Sequence, residues 1–185
     1  MKQLILCLSL CCFAVAVSTA QKLQVRPTLN KISGEAVEAP KSPMASSYMQ
    51  QGDTYVRVVY NQPHLRGRDM LGNKNPYGKV WRLGANQATE IFLTSDIKVD
   101  GNELKAGAYT IYAIPEADKW TVIFSDQLGQ WGAYRYDESK DVFRVEAAVK
   151  EAPQNFEAMS IWFGDKGDSI NFAWGETWVN IPIEI

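Results

Sequence analysis

The stretch PYGKVWRLGANQATEI, residues 76–91, gathers Lys79, Arg82, Asn86 and Gln87 around Trp81, with Gly78 and Gly84 on either side. Just upstream, HLRGRDMLG adds Arg66 and Arg68, and Tyr77 adds a phenol ring. Arginine forks match the geometry of carboxylates and phosphates. An indole face packs on a sugar ring or a cation, and amides supply directional donors and acceptors. Arg66, Arg68, Lys79, Trp81, Arg82 and Asn86 are therefore the candidate ligand-binding residues, suited to a glycan, a small anion or a partner protein. The same residues are open to a second reading. A long crossover that covers the end of a sandwich needs an apolar plug, which Trp81 supplies. It also needs side-chain donors for its own carbonyls, which the Arg and Asn residues supply.

Acid–base chemistry has two candidate residues. His64 is the single histidine, with Asp69 close by in sequence, and an imidazole paired with a carboxylate is a general base. Glu90 lies in an apolar run directly after the polar loop, and a glycosidase needs two carboxylates across a cleft. Asp126, Asp137 and Glu176 are further acids, but nothing in their spacing selects a pair. No Gly-x-Ser-x-Gly elbow is present for a serine nucleophile. DKGD and DESKD read as turns, because neither has the spacing of a calcium loop. One histidine and no cysteine after residue 12 leave no Cys/His set for zinc or copper, so no metal and no cofactor are implied.

The ends set the compartment. Met1 and Lys2 open an apolar stretch from Leu4 to Val17, and Ser18-Thr19-Ala20 offers the small residues a signal peptidase reads. The expectation is a signal peptide over 1–20, cleaved after Ala20, and export to the periplasm or beyond the cell. Cys11 and Cys12 follow CLSL, but Leu10 stands where a lipidation site needs a small residue, so no lipid anchor is expected. Cleavage removes Cys7, Cys11 and Cys12, and with them any disulfide or thiolate. Losing Lys2 from 19 basic residues, against 21 acidic ones, brings the formal charge to about −3. No basic stripe marks a nucleic-acid partner. No later apolar run approaches bilayer length, so no membrane span is expected in the mature chain.

Elements that position these residues begin after a polar lead-in. Residues 21–40 are poor in aromatics and without period, and read as a flexible arm. Residues 41–53 read as an extended approach to a domain spanning 41–185. Beyond Asp53 the texture alternates: Val56, Val58 and Tyr60 share one face, as do Trp120, Val122 and Phe124, and Phe143, Val145 and Ala147. Asp100-Gly101-Asn102 marks a tight hairpin, and Gly175-Glu176 reads as a turn. Roughly nine short strands with turn signals and no long amphipathic helix predict an all-β fold. The expected architecture is a single-domain antiparallel sandwich, jelly-roll-like or barrel-like.

The blocks GRDMLGNKNPYGKVWRLGANQATEI, ELKAGAYTIYAIP, KWTVIFSDQLGQWGAYRYD and DVFRV resemble the bacterial family called domain of unknown function 2911, from about Lys41 to the C-terminus. Pro-Tyr-Gly-Lys-Val-Trp-Arg and Gln-Trp-Gly are its most particular parts. The resemblance implies a secreted, β-rich protein and brings no catalytic residues with it. Two functions stay open on these residues. One is a non-catalytic exported envelope sandwich that binds a glycan, a small anion or a partner protein. The other is a hydrolase or isomerase acting on sugars or cell-wall fragments through Glu90 or His64.

Overall fold

A computed structural model describes residues 40–185. The signal peptide expected over 1–20 lies outside the described residues, as does the arm over 21–40 apart from Pro40. Nine strands follow in order: β1 (Met44–Gln51), β2 (Thr54–Asn61), β3 (Thr89–Leu93), β4 (Ile97–Val99), β5 (Asn102–Leu104), β6 (Gly107–Pro115), β7 (Lys119–Ser125), β8 (Asp141–Phe163) and β9 (Ser169–Glu184). They form one antiparallel sheet in the order β1-β2-β3-β6-β7-β8-β9-β4-β5. The fold is all-β and sandwich-like, as the alternation predicts, and the sheet is not closed into a barrel.

Period-two alternation builds the core. Val56 and Val58 from β2, Ile91 and Leu93 from β3, Trp120, Val122 and Phe124 from β7, and Val145 from β8 point into one buried cluster. Phe143 is half-buried and packs on Phe124 at 4.9 Å between ring centroids. The opposite wall comes from Met159 and Ile161 of β8 and from Ile170, Phe172, Trp174 and Val179 of β9. The hairpin turn read at Asp100-Gly101 joins β4 to β5, with φ of 48° and 77° at its two central residues.

Two departures from the sequence reading matter here. The 41–53 lead-in contains a true edge strand, β1, paired along its length with β2. Beyond Lys140, where the sequence reads as short strands with a turn at Gly175-Glu176, there are two long strands, β8 and β9. Gly175 does not end a strand. It takes φ of 63° within β9, opposite Phe156, where the β8–β9 register shifts. Gly175 and the bulged stretch of β8 therefore bend a continuous ribbon instead of interrupting it.

That bend folds the far half of β8 back toward β1 and β2. Leu65 N–H donates to the Glu157 carbonyl at 2.8 Å, and Met159 N–H to the Pro63 carbonyl at 2.9 Å. The Tyr60 hydroxyl accepts from Ile161 N–H at 3.1 Å. A phenol thus substitutes for a strand where the sheet stays open. Burial raises the Tyr60 pKa, opposed by that backbone bond.

Candidate functional site

Trp81 is not free to meet a ligand. Its N–H donates to the Ala113 carbonyl at 2.7 Å and its carbonyl accepts from Ala113 N–H at 2.9 Å. The residue is docked on β6 beyond the point where β3 stops pairing with it. Strand geometry then turns its indole inward, where it is 6 % exposed. It stacks on Trp174 at 5.6 Å and meets Trp120 edge-on at 5.8 Å. Indole Nε1 donates to the Gly84 carbonyl at 3.1 Å, which satisfies its polar atom.

Next in the chain, Arg82 must point the other way. It is half-buried, and its Nε donates to the Gly84 carbonyl at 3.2 Å. Beyond it the loop turns sharply. Leu83 and Asn86 hold φ of 50° and 55°, a left-handed conformation that costs a side chain about 1–2 kcal/mol. Leu83 is fully buried, and its carbonyl accepts from the Thr89 hydroxyl, so packing and hydrogen bonding hold the turn. Asn61, at the end of β2, ties in the rest: its Nδ2 donates to Gln87 Oε1 at 3.0 Å, and its backbone carbonyl accepts from Ala85 N–H at 3.1 Å.

A second loop, residues 126–137, lies on the first. Ala88 N–H donates to the Gln130 carbonyl and Gly132 N–H to the Asn86 carbonyl, both at 2.9 Å. Glu90 Oε1 accepts from Gly129 N–H at 2.9 Å. Together the two loops roof a small second core of Ala88, Tyr112 and Ile123, with Val80, Ala133 and Tyr136 packed around it. At its rim the Tyr136 hydroxyl donates to Asp141 at 2.6 Å and accepts from Arg144 at 2.8 Å. Burial and Asp141 both push the Tyr136 pKa up. The Tyr112 hydroxyl is buried with no partner among the described residues, and desolvation, then Asp141 and Glu90, raise its pKa to about 12.

Where the two loops meet, a surface concavity of about 310 Å³ opens. Lys74, Asn75, Lys79 and Arg82 are among its polar lining, and Trp81 and Tyr134 are its aromatic lining. It has three cations and no carboxylate. None of the three cations forms an ion pair among the described residues. Gly132, at φ of 72°, sits bare beneath it: a Cβ there would lie 2.7 Å from the Tyr134 ring and 3.1 Å from Arg82 Nη1. The ring and the guanidinium therefore lean on the same bare backbone. Three other concavities mix signs, with Asp69 and Glu176 beside Arg68, Asp165 beside Lys166, and Asp96, Glu103 and Glu184 beside Lys98.

The structure thus divides the six candidate ligand residues. Lys79 and Arg82 line the cationic concavity, and Trp81 closes its floor from the core side. Asn86 stays in the loop frame, with its amide 3.5 Å from Asn61 Oδ1. Arg68 spends its donors on the Leu65 and His64 carbonyls, at 2.9 and 2.8 Å. Arg66 Nη2 donates to the Lys41 carbonyl at 2.6 Å. His64 bridges to Ala158 on the far half of β8, while Glu90 anchors the 126–137 loop, so the two acid–base candidates face no common cleft. Glu90 also does not pair with Arg82. No group of three or more His, Cys, Asp or Glu among the described residues is placed to hold a metal ion.

Tyr134 and Lys74 were not among the candidates. Tyr134 sits in a stretch with no period, and only its place three residues after Trp131 in the Gln-Trp-Gly block hinted at a role. Lys74 is one of several exposed polar residues in the crossover, and nothing in its spacing distinguishes it.

An open, sandwich-like antiparallel sheet whose crossover loop carries a cationic concavity defines the class of protein. Within that class the chain belongs to the family described as "Protein of unknown function (DUF2911)", whose model matches residues 42–183. No curated protein and no solved structure matches the chain. Among the described residues no helix is long and apolar enough to cross a membrane.

Proposed function

We propose that the protein is a non-catalytic, exported envelope sandwich that binds an anionic ligand in the concavity between the 76–88 and 126–137 loops. The observation that carries this reading is the lining itself: Lys74, Lys79 and Arg82 converge with no carboxylate among them. Three cations that form no ion pair among the described residues surround one hollow, and an anion that enters offsets their like charge while meeting a guanidinium fork. The frame is rigid, since Arg82 is pinned through Nε and both loops are cross-bonded, so little ordering cost falls on binding. The leader sequence supports export.

Catalysis on sugars is the weaker alternative because Glu90 is committed to Gly129 N–H and His64 lies elsewhere. The test is a thermal-shift and calorimetric titration with citrate, phosphate and galacturonate, against neutral galactose. Anions that bind the native state raise the melting temperature, and galactose does not. Equal, null responses to every anion, or wild-type binding by Arg82→Ala, sink the reading.

A further inference from the structure

Two large aromatic side chains project from the loop that walls the concavity. Tyr134 is 81 % exposed and Trp131 is 60 % exposed. Exposed aromatics on a mobile tip mean little, but this loop is fastened at nearly every residue. The Gln127 carbonyl accepts from the Thr110 hydroxyl at 2.8 Å, and Gln127 Nε2 donates to the Arg135 carbonyl at 2.9 Å. Trp131 is bridged through its backbone to Gln87, and Gly132 N–H is bonded to the Asn86 carbonyl. The fastened backbone therefore presents two aromatic side chains to water, beside cations, at a standing cost in exposed apolar surface.

Each component answers to a different part of one ligand. A flat ring accepts the C–H face of a sugar by apolar contact and leaves the sugar hydroxyls in water. A guanidinium fork donates two parallel hydrogen bonds to a carboxylate. Tyr134 and Arg82 supply both at the same bare backbone, Gly132. Trp131 adds a second platform outside the concavity. One sugar ring would use the first and leave the second idle.

Resting on the anion-binding reading above, we infer that the ligand is an acidic oligosaccharide, with one uronic-acid ring on Tyr134, its carboxylate on Arg82, and a neighbouring unit on Trp131. Charge complementarity selects this occupant over a neutral glycan, and the aromatic platforms select it over a small inorganic anion.

The experiment titrates tetragalacturonate, monomeric galacturonate, neutral galactotetraose and phosphatidylglycerol vesicles into wild-type protein, Tyr134→Ala and Trp131→Ala. The expected result is that tetragalacturonate binds at least about tenfold more tightly than the monomer, a factor that each aromatic truncation removes. Galactotetraose and vesicles do not bind. If the monomer binds but the oligomer is no tighter, or the truncations change nothing, the oligosaccharide assignment falls and the anion-binding reading stands. If vesicles bind, lose binding in Trp131→Ala, and the oligomer is silent, the aromatics are a membrane-surface anchor and the assignment falls. Silence toward every anion removes both readings together.

Discussion

The indole of Trp81 stacks on that of Trp174 with centroids 5.6 Å apart and planes inclined by 14°. One residue belongs to the crossover loop and the other to β9, on the opposite wall of the sandwich. The stack therefore fastens the candidate site's loop to the core, and Trp120 closes it from the side. Truncating Trp81 removes a buried indole and one of the two donors to the Gly84 carbonyl, leaving Arg82 Nε as the other. Trp81→Ala should cost about 3–5 kcal/mol in denaturant unfolding. A loss below about 1 kcal/mol would show that the loop stands without its plug.

Arg82 tests how loop order and binding divide. It has one hydrogen bond, to a neutral carbonyl, and no carboxylate partner among the described residues, so it is no buried ion pair. Arg82→Ala should cost only about 1 kcal/mol of stability. The same variant should lose citrate binding in calorimetry. Arg82→Lys keeps the charge but not the fork, and should recover part of the affinity and none of the bidentate selectivity. A loss near 4 kcal/mol in either variant would mark Arg82 as a structural residue instead.

Much of the scaffold was legible because burial writes alternation into strands. Trp120, Val122 and Phe124 lie where period two puts them, and Asp100-Gly101 makes the hairpin its turn chemistry dictates. Legibility failed where tertiary bending overrode local signals. Gly175 looks like a turn residue and is a kink inside β9. The Ser- and Gln-rich β1 reads only as an extended approach because an edge strand with one shallow contact face needs no apolar run. The loop around Trp81 was readable in both ways at once, and its residues divide between the core and the lining of the concavity. Trp81 plugs the core, while Arg82, with the opposite facing, and the exposed Lys79 line the concavity. No local pattern distinguishes these roles, because they depend on the bridge to Ala113.

Gly132 separates geometry from stability. Its φ of 72° is strained for any side chain, and a Cβ would press the Tyr134 ring at 2.7 Å. Tyr134 is exposed and its ring swings away cheaply, so Gly132→Ala should cost about 1 kcal/mol, from backbone strain. Displacing the ring and the Arg82 guanidinium should still weaken tetragalacturonate binding severalfold. Wild-type affinity in a folded Gly132→Ala protein would show that the ring and the fork need not share that point.

The buried phenol of Tyr112 makes the last prediction, about alkaline stability. Its ordinary pKa is near 10, and in the folded protein burial, with Asp141 and Glu90 nearby, raises it to about 12. Below pH 10 folded and unfolded chains both keep the proton, so the group adds no pH dependence. Between about 10 and about 12 the unfolded phenol ionises while the folded one does not. Folding then requires proton uptake, and stability falls as pH rises through that window. Tyr136, raised by burial and Asp141, acts in the same direction. Exposed lysine pairs such as Lys98–Glu184, with the lysine pKa raised by its partner, do so as well. The readout is therefore the difference between wild type and Tyr112→Phe. The Phe variant loses a hydroxyl that has no partner among the described residues, so at neutral pH it should be at least as stable, by up to about 1 kcal/mol. It should also fall less steeply in urea melts taken between pH 10 and 12. A Phe variant that is strongly destabilised at neutral pH would show that the hydroxyl is bonded after all.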